Sequence, residues 1–248
     1  MSLVLGSPHH LPIPRQSSPF PGEVIIPGSR MRNAAFLLFF TVGPCLQLRG
    51  NDDLIVPDLR VGPVTRMSTE RELQKVFGRL AVKDKIGVGE GVDEPGLVIY
   101  PGDPARRLEI TWNDEQPPHP AIIFICPGDD NRACRWHTAS GISIGTTLRE
   151  LERINGRPFE MVGWGSDVGG NVTSFQEGRL EKELNVALKL TLLPRIDRNG
   201  DYVPKLSARE FSEVEGEKSL RSNHPVLQKL NPHVGALRLV FPSVKRVR

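Results

Sequence analysis

Polar and apolar residues alternate along Leu184–Leu192, so that Leu184, Val186, Leu188, Leu190 and Leu192 fall on one side, as in a strand with one buried face. A different period governs Thr69–Gly78 and Thr147–Gly156, which both read Thr-x-Arg-Glu-Leu-x-(Lys/Arg)-(Val/Ile)-x-Gly. Each stretch predicts one short helix. The threonine N-caps it, the glutamate three residues on (Glu72, Glu150) completes a capping box, and glycine ends it. Leucine and the β-branched residue three further on, Leu73 with Val76 and Leu151 with Ile154, supply the buried stripe. Five identities and two close matches in ten positions point to an internal duplication.

The runs that follow each helix read as strands: Leu97–Tyr100, Leu108–Trp112 and Ala121–Cys126 after the first, Phe159–Trp164, Asn171–Phe175 and Leu184–Leu192 after the second. Turn-forming Pro-Gly-Asp-Pro (101–104) and Gln-Pro-Pro-His-Pro (116–120) separate those of the first set. The expected fold is therefore α+β, with two repeated units of a short helix followed by an antiparallel meander, at 54–135 and 136–205, their sheets adjacent. A C-terminal segment, 206–248, holds a short helix through Pro225 and Leu230, capped by Ser222 or Asn223, and a last strand at Val234–Phe241.

Upstream, Met31-Arg-Asn precedes the apolar run Ala34–Pro44 and Cys45, a short basic stretch and an 11-residue hydrophobic core with the dimensions of a secretory signal peptide. That run falls short of the ~20 residues of a membrane span. Residues 1–30, with six prolines and no amphipathic period, read as a disordered leader or as translation from a misplaced start, and 31–45 as the signal peptide. Val42-Gly43-Pro44-Cys45 resembles a lipobox in its glycine and cysteine, with Pro44 where a small residue is usual, and makes Cys45 a candidate lipidation site. Ordinary cleavage nearby, and a buried strand or helix over Ala34–Pro44, are the alternatives. The expected compartment is outside the cytoplasm: periplasm, outer membrane or extracellular space.

Composition narrows the picture. With 24 Gly and 22 Pro in 248 residues, long helices and coiled coils are excluded, while 38% apolar residues suffice for a core. A net charge of +3, from 32 basic and 29 acidic residues well mixed along the chain, gives no case for nucleic acid as a partner. Cys126 and Cys134 flank the turn-forming stretch Pro127–Asn131, so in an oxidising compartment they read as a stapled hairpin or as two separate thiols. No second Cys/His pair at ligand spacing accompanies them, which disfavours zinc.

The stretch Gly141-Ile-x-x-Gly-Thr-Thr-x-x-Glu-Leu-x-x-x-x-Gly156, more loosely repeated at Val61–Gly78, resembles the helix-opening signature of small exported bacterial helix-plus-sheet domains. In tandem the copies resemble the beta-lactamase inhibitory protein family, and singly the small lipoprotein of the outer-membrane barrel assembly machinery. The resemblance covers roughly 58–193. It implies fold and compartment, and no inhibitory residue is carried over, because the matched positions are caps and core residues.

Chemistry is sparse. His119, His137, His224 and His233 show no ligand-like pairing, and no nucleophile elbow is present. Gly163–Gly170 and Gly87–Gly91 lead into strands rather than helices, so they read as turns, not phosphate cradles. Asp197-Arg-Asn-Gly-Asp201 alternates oxygen ligands as a calcium loop does, but Tyr202 and Ala208 stand where glycine and glutamate are needed. No metal, cofactor or catalytic residue is assigned. Trp112, Trp136 and Trp164 with Tyr100 and Phe175 are the candidate binding residues: on side-by-side sheets they line a concave face for an envelope protein or surface polymer, and otherwise they fill the cores. The expected role is noncatalytic protein binding. An envelope hydrolase assembling Glu109, Asp114 and Asp167 with His137, and a structural lipoprotein held to the membrane only by its lipid, are the competing readings.

Overall fold

Both Thr-x-x-Glu signatures open helices in the computed structural model of the chain, which describes residues 52–128, 134–184 and 187–242. The leader, the signal segment and Cys45 lie outside the described residues. In chain order the elements are β1 (Leu54–Val56), β2 (Arg60–Val61), β3 (Val64–Thr65), α1 (Glu70–Phe77), β4 (Ala81–Gly89), β5 (Val92–Ile99), β6 (Leu108–Trp112), β7 (Pro120–Ile125), β8 (His137–Thr138), α2 (Leu148–Asn155), β9 (Glu160–Val162), β10 (Val172–Ser174), α3 (Arg179–Leu184), β11 (Leu188–Leu193), β12 (Arg195–Ile196), β13 (Tyr202–Val203), α4 (Ala208–Val214), β14 (Ser219–Arg221), α5 (Pro225–Leu230) and β15 (His233–Val240). The α+β class holds, and the layout of a capped helix followed by antiparallel strands occurs twice in loose form.

Capping is reciprocal at each signature. The Thr69 amide donates to Glu72 Oε2 at 2.9 Å and the Glu72 amide to Thr69 Oγ1 at 3.3 Å; Thr147 and Glu150 repeat this at 2.8 and 3.3 Å. A third box, Ser207 with Glu210, opens α4, an element the sequence reading missed. His224 caps α5 through Nδ1, in place of the expected Ser222 or Asn223. Ser222 is instead fully buried, accepting from the Phe159 amide and donating to Glu152. Val76, expected in the buried stripe of α1, is 68% exposed; Leu73 and Phe77 form that stripe, with Phe77 edge-on to Tyr100.

Strands β4 to β7 form a continuous meander, as the first unit requires, and it extends into a six-stranded sheet of order β11-β15-β7-β6-β5-β4. The last strand, β15, lies between β7 and β11 and is antiparallel to both. The second unit keeps the helix-then-antiparallel-strands layout more loosely. Its β9 and β10 join β14 in a three-stranded sheet, α3 intervenes, and only β11 reaches the large sheet. The predicted strand Leu184–Leu192 accordingly starts four residues late, at Leu188, because Leu184 ends α3.

Asn155 accounts for this divergence. It occupies the motif position that Phe77 holds in the first copy, and it is buried. Its Nδ2 donates to the carbonyls of Arg157 and Phe175, both at 2.9 Å, while Oδ1 accepts from the Leu180 amide at 3.1 Å. The side chain therefore satisfies backbone groups at the start of α3 and fixes the chain before it. Gly178 lies against the same amide, where a Cβ would collide with it.

One face of the six-stranded sheet carries Leu97, Ile99, Leu108, Ile110, Ile123, Ile125, Leu188, Leu190, Leu192, Leu237 and Leu239, which share a core with Leu148, Leu151, Leu227 and Leu230 from the helices. The cross-strand register places Lys189, Arg238, Phe124, Glu109, Val98 and Val82 in one row on the other face. At the β4 end that face is closed, because Ile86 folds over Gly96, whose missing Cβ leaves the room.

Replacing Asn155 with leucine keeps the branched outline of the side chain, adds volume and strands three backbone groups, so unfolding in denaturant should show a loss of about 2–4 kcal/mol. At α4, the Lys229 ammonium and then the Ser207 bonds hold the Glu210 carboxyl at about 2, below its ordinary 4.5. A lowered folded-state pKa stabilises in full above about 4.5 and less as pH falls towards about 2. Lys229→Met should raise the Glu210 midpoint in a carbon-detected NMR titration, and an unmoved midpoint would disprove the assignment.

Candidate functional site

Four of the five aromatic residues expected on a concave binding face are core residues. Trp136 is fully buried; its indole donates to the Arg106 carbonyl at 3.0 Å, and its ring lies 2.6 Å from where a Cβ on Gly62 would be. Gly62 also has φ +53°, so both conformation and contact demand glycine there. Trp164 donates to the Leu192 carbonyl at 2.9 Å and thereby ties the β9–β10 loop to β11. Phe175 packs on Phe159, with ring centroids 5.7 Å apart. Tyr100 is covered by Phe77 on its edge and by the Arg106 guanidinium, 4.2 Å from its centroid, and it accepts from Arg106 Nη2 at 3.0 Å. Aromatics at strand ends in this chain are there to close the core, and the shared concave face does not form.

Trp112 is the exception. It is half-buried at the end of β6 and packs against the core edge. With Asn113, Pro117 and Pro118 of the β6–β7 turn and Thr69, Glu70, Arg71 and Gln74 of α1, it lines a groove of about 380 Å³. Asn113 shapes the turn: Oδ1 accepts the amides of Glu115 at 3.2 Å and His119 at 2.9 Å. His119 Nδ1 lies 3.3 Å from the Ser68 carbonyl, joining the turn to the residue before the α1 cap. The groove is thus walled by two segments fixed by hydrogen bonds, while the Trp112 indole N–H is shielded and has no acceptor among the described residues.

The residues considered for a hydrolase do not meet. Glu109 is engaged by Arg107, through Nε at 2.8 Å and Nη2 at 2.7 Å. Asp114 sits exposed in the β6–β7 turn and Asp167 in the β9–β10 loop, while His137 on β8 turns Nδ1 to the Thr138 carbonyl at 3.1 Å. The Asp197 carboxylate accepts the amides of Asn199 and Asp201, which makes the sequence resembling a calcium loop a backbone-capped turn between β12 and β13. Among the described residues no group of three or more His, Cys, Asp or Glu is placed to hold a metal ion.

Cys126 and Cys134 form a disulfide. They do not staple a hairpin, since β7 pairs with β6 and β15, and the chain after Cys134 runs to β8 beside β1. Arg135, next to the disulfide, pairs with Asp53 at 2.8 Å, so the crosslink tethers the segment that seats Trp136 and β1. No helix among the described residues is long and apolar enough to cross a membrane. In comparisons with family models, curated proteins and solved structures, nothing matches the chain.

With Trp136 and Trp164 buried, acrylamide quenching of tryptophan fluorescence should act chiefly on Trp112, and Trp112→Phe should remove most of the quenchable signal. Equal quenching of the wild type and the variant would contradict this placement.

Proposed function

We propose that the protein is an exported, noncatalytic binding protein of the bacterial envelope or extracellular space, and that the groove beside Trp112 receives a segment of a partner protein. The observation that carries this reading is the groove itself: one half-buried tryptophan and two prolines form an apolar wall, with Arg71, Glu70 and Gln74 at the rim. A central aromatic ringed by polar groups is the usual layout of an energetically dominant contact. Export is supported by the signal-like segment Met31–Cys45, and the Cys126–Cys134 disulfide suits an oxidising compartment. The resemblance to tandem helix-plus-sheet inhibitory proteins agrees with a binding role and contributes no residue to the site.

Two measurements test the proposal in cells of an expressing bacterium. Mass spectrometry of the exported protein should find an N-terminus between about residue 43 and residue 52, as a cleaved signal would leave it; a chain retained whole in the cytoplasm refutes export. A photo-crosslinker at Arg71 or Pro118 should trap a discrete envelope protein, and Trp112→Ala should abolish the adduct. An adduct indifferent to Trp112, or the same adduct from a crosslinker at the remote Lys205, refutes the groove as the docking site.

A further inference from the structure

A second cleft, of about 360 Å³, opens on the face of the six-stranded sheet away from the core. Its floor is Phe124, Ala236 and Arg238; the curled β4–β5 hairpin, the start of the disulfide loop, and Asp167 with Asn171 wall it. Arg238 stands directly opposite Lys189 across the β15–β11 pair, so two cations share one row on neighbouring strands. Like charges directly opposite each other destabilise a sheet. Neither has an ion-pair partner among the described residues, although Glu109 lies in the same row, where Arg107 occupies it. Asp167 also lines the cleft, and it is beyond ion-pair distance of Arg238. Asn171 accepts from Thr191 Oγ1 at 2.7 Å, which leaves its amide N–H groups to donate.

We infer that this cleft binds an acidic saccharide, with the carboxylate of a uronic-acid ring held by Arg238, the ring laid on Phe124, and its hydroxyls shared between Asp167 and Asn171. A cation pair with no ion-pair partner among the described residues has room for an anion, and an arginine fork matches a carboxylate in two bonds. The half-buried phenyl ring among small residues gives a flat apolar floor, the common form of a small-molecule site with few polar groups. Asp167 decides between anionic ligands: it repels a bare anion, whereas a polyol ring offers it hydroxyl donors. The inference is independent of the Trp112 groove, with which the cleft shares no lining residue.

The test is NMR titration of the isotope-labelled full chain with a short oligogalacturonate, its neutral galactose counterpart, inorganic phosphate and a tetraglutamate peptide. The oligogalacturonate should shift the amides of Phe124, Asn171 and residues 235–238 saturably. Arg238→Gln should weaken it about tenfold or more, as expected for loss of a charge-assisted bond. Asp167→Ala should also weaken it, while leaving the spectrum of the fold intact. Binding unaffected by Arg238→Gln, tighter binding in Asp167→Ala, or equal responses to phosphate, peptide or neutral sugar would each overturn the inference.

Discussion

The fold rests on the insertion of its last strand. β15 hydrogen-bonds both to the meander of the first unit, through β7, and to the second unit, through β11. Its alternation puts Leu237 and Leu239 into the core and Ala236 and Arg238 on the opposite face, and a register shift at Gly235 returns Val234 to the core side. The same strand reaches the second helix, since the Val234 carbonyl accepts from Gly145 and its amide donates to Thr146, and the Pro232 carbonyl accepts from Leu148. A central strand contributed from the end of the chain makes most of the stabilising pairings nonlocal. The large sheet therefore joins the two units through β15, beside the smaller junction of β1 with β8.

That arrangement explains which features could be read from the sequence. Helix boundaries were legible because capping is local chemistry: Thr69 with Glu72 and Thr147 with Glu150 act within one turn. β6, β7 and β15 were legible from apolar alternation. β4 was not, because Lys83, Asp84 and Lys85 break its pattern on the exposed edge of the sheet, where charges guard against further pairing. α3 carries its own signal, since Arg179-Leu-Glu-Lys-Glu-Leu184 are helix formers with Leu180 and Leu184 at i, i+4, but Leu184 also opens the period-2 spacing that runs into β11. A second signal was Asn155, a polar residue at a position that is aromatic in the first copy.

Duplication of a motif and divergence of a fold are reconciled at that position. Phe77 buries apolar area against Tyr100, and the chain leaves α1 through a single 3-10 turn at Gly78–Leu80 into β4. Asn155 has no comparable apolar area to offer, and its burial requires three hydrogen bonds, supplied by backbone from 157, 175 and 180. Satisfying one amide thus reorganises about twenty-five residues downstream, from Gly156 to Leu180, although the helix preceding it is almost unchanged.

The candidate sites were less legible than the fold, for a related reason. Trp112, Trp136 and Trp164 all stand at strand ends, and sequence position alone does not separate a ring that closes the core from one that lines a groove. What separates them is what lies across from each. Trp136 faces Gly62, 74 residues away, and Trp164 faces the Leu192 carbonyl, so both indoles are enclosed. Trp112 meets Pro117 and Pro118 on a turn that Asn113 holds, which leaves one side of the indole without a partner element. The cation pair Lys189–Arg238 was equally invisible, since its members lie 49 residues apart and meet only through the β11–β15 register. Both grooves are consequences of long-range strand order, set by where β15 and the β6–β7 turn deliver their side chains rather than by any local motif.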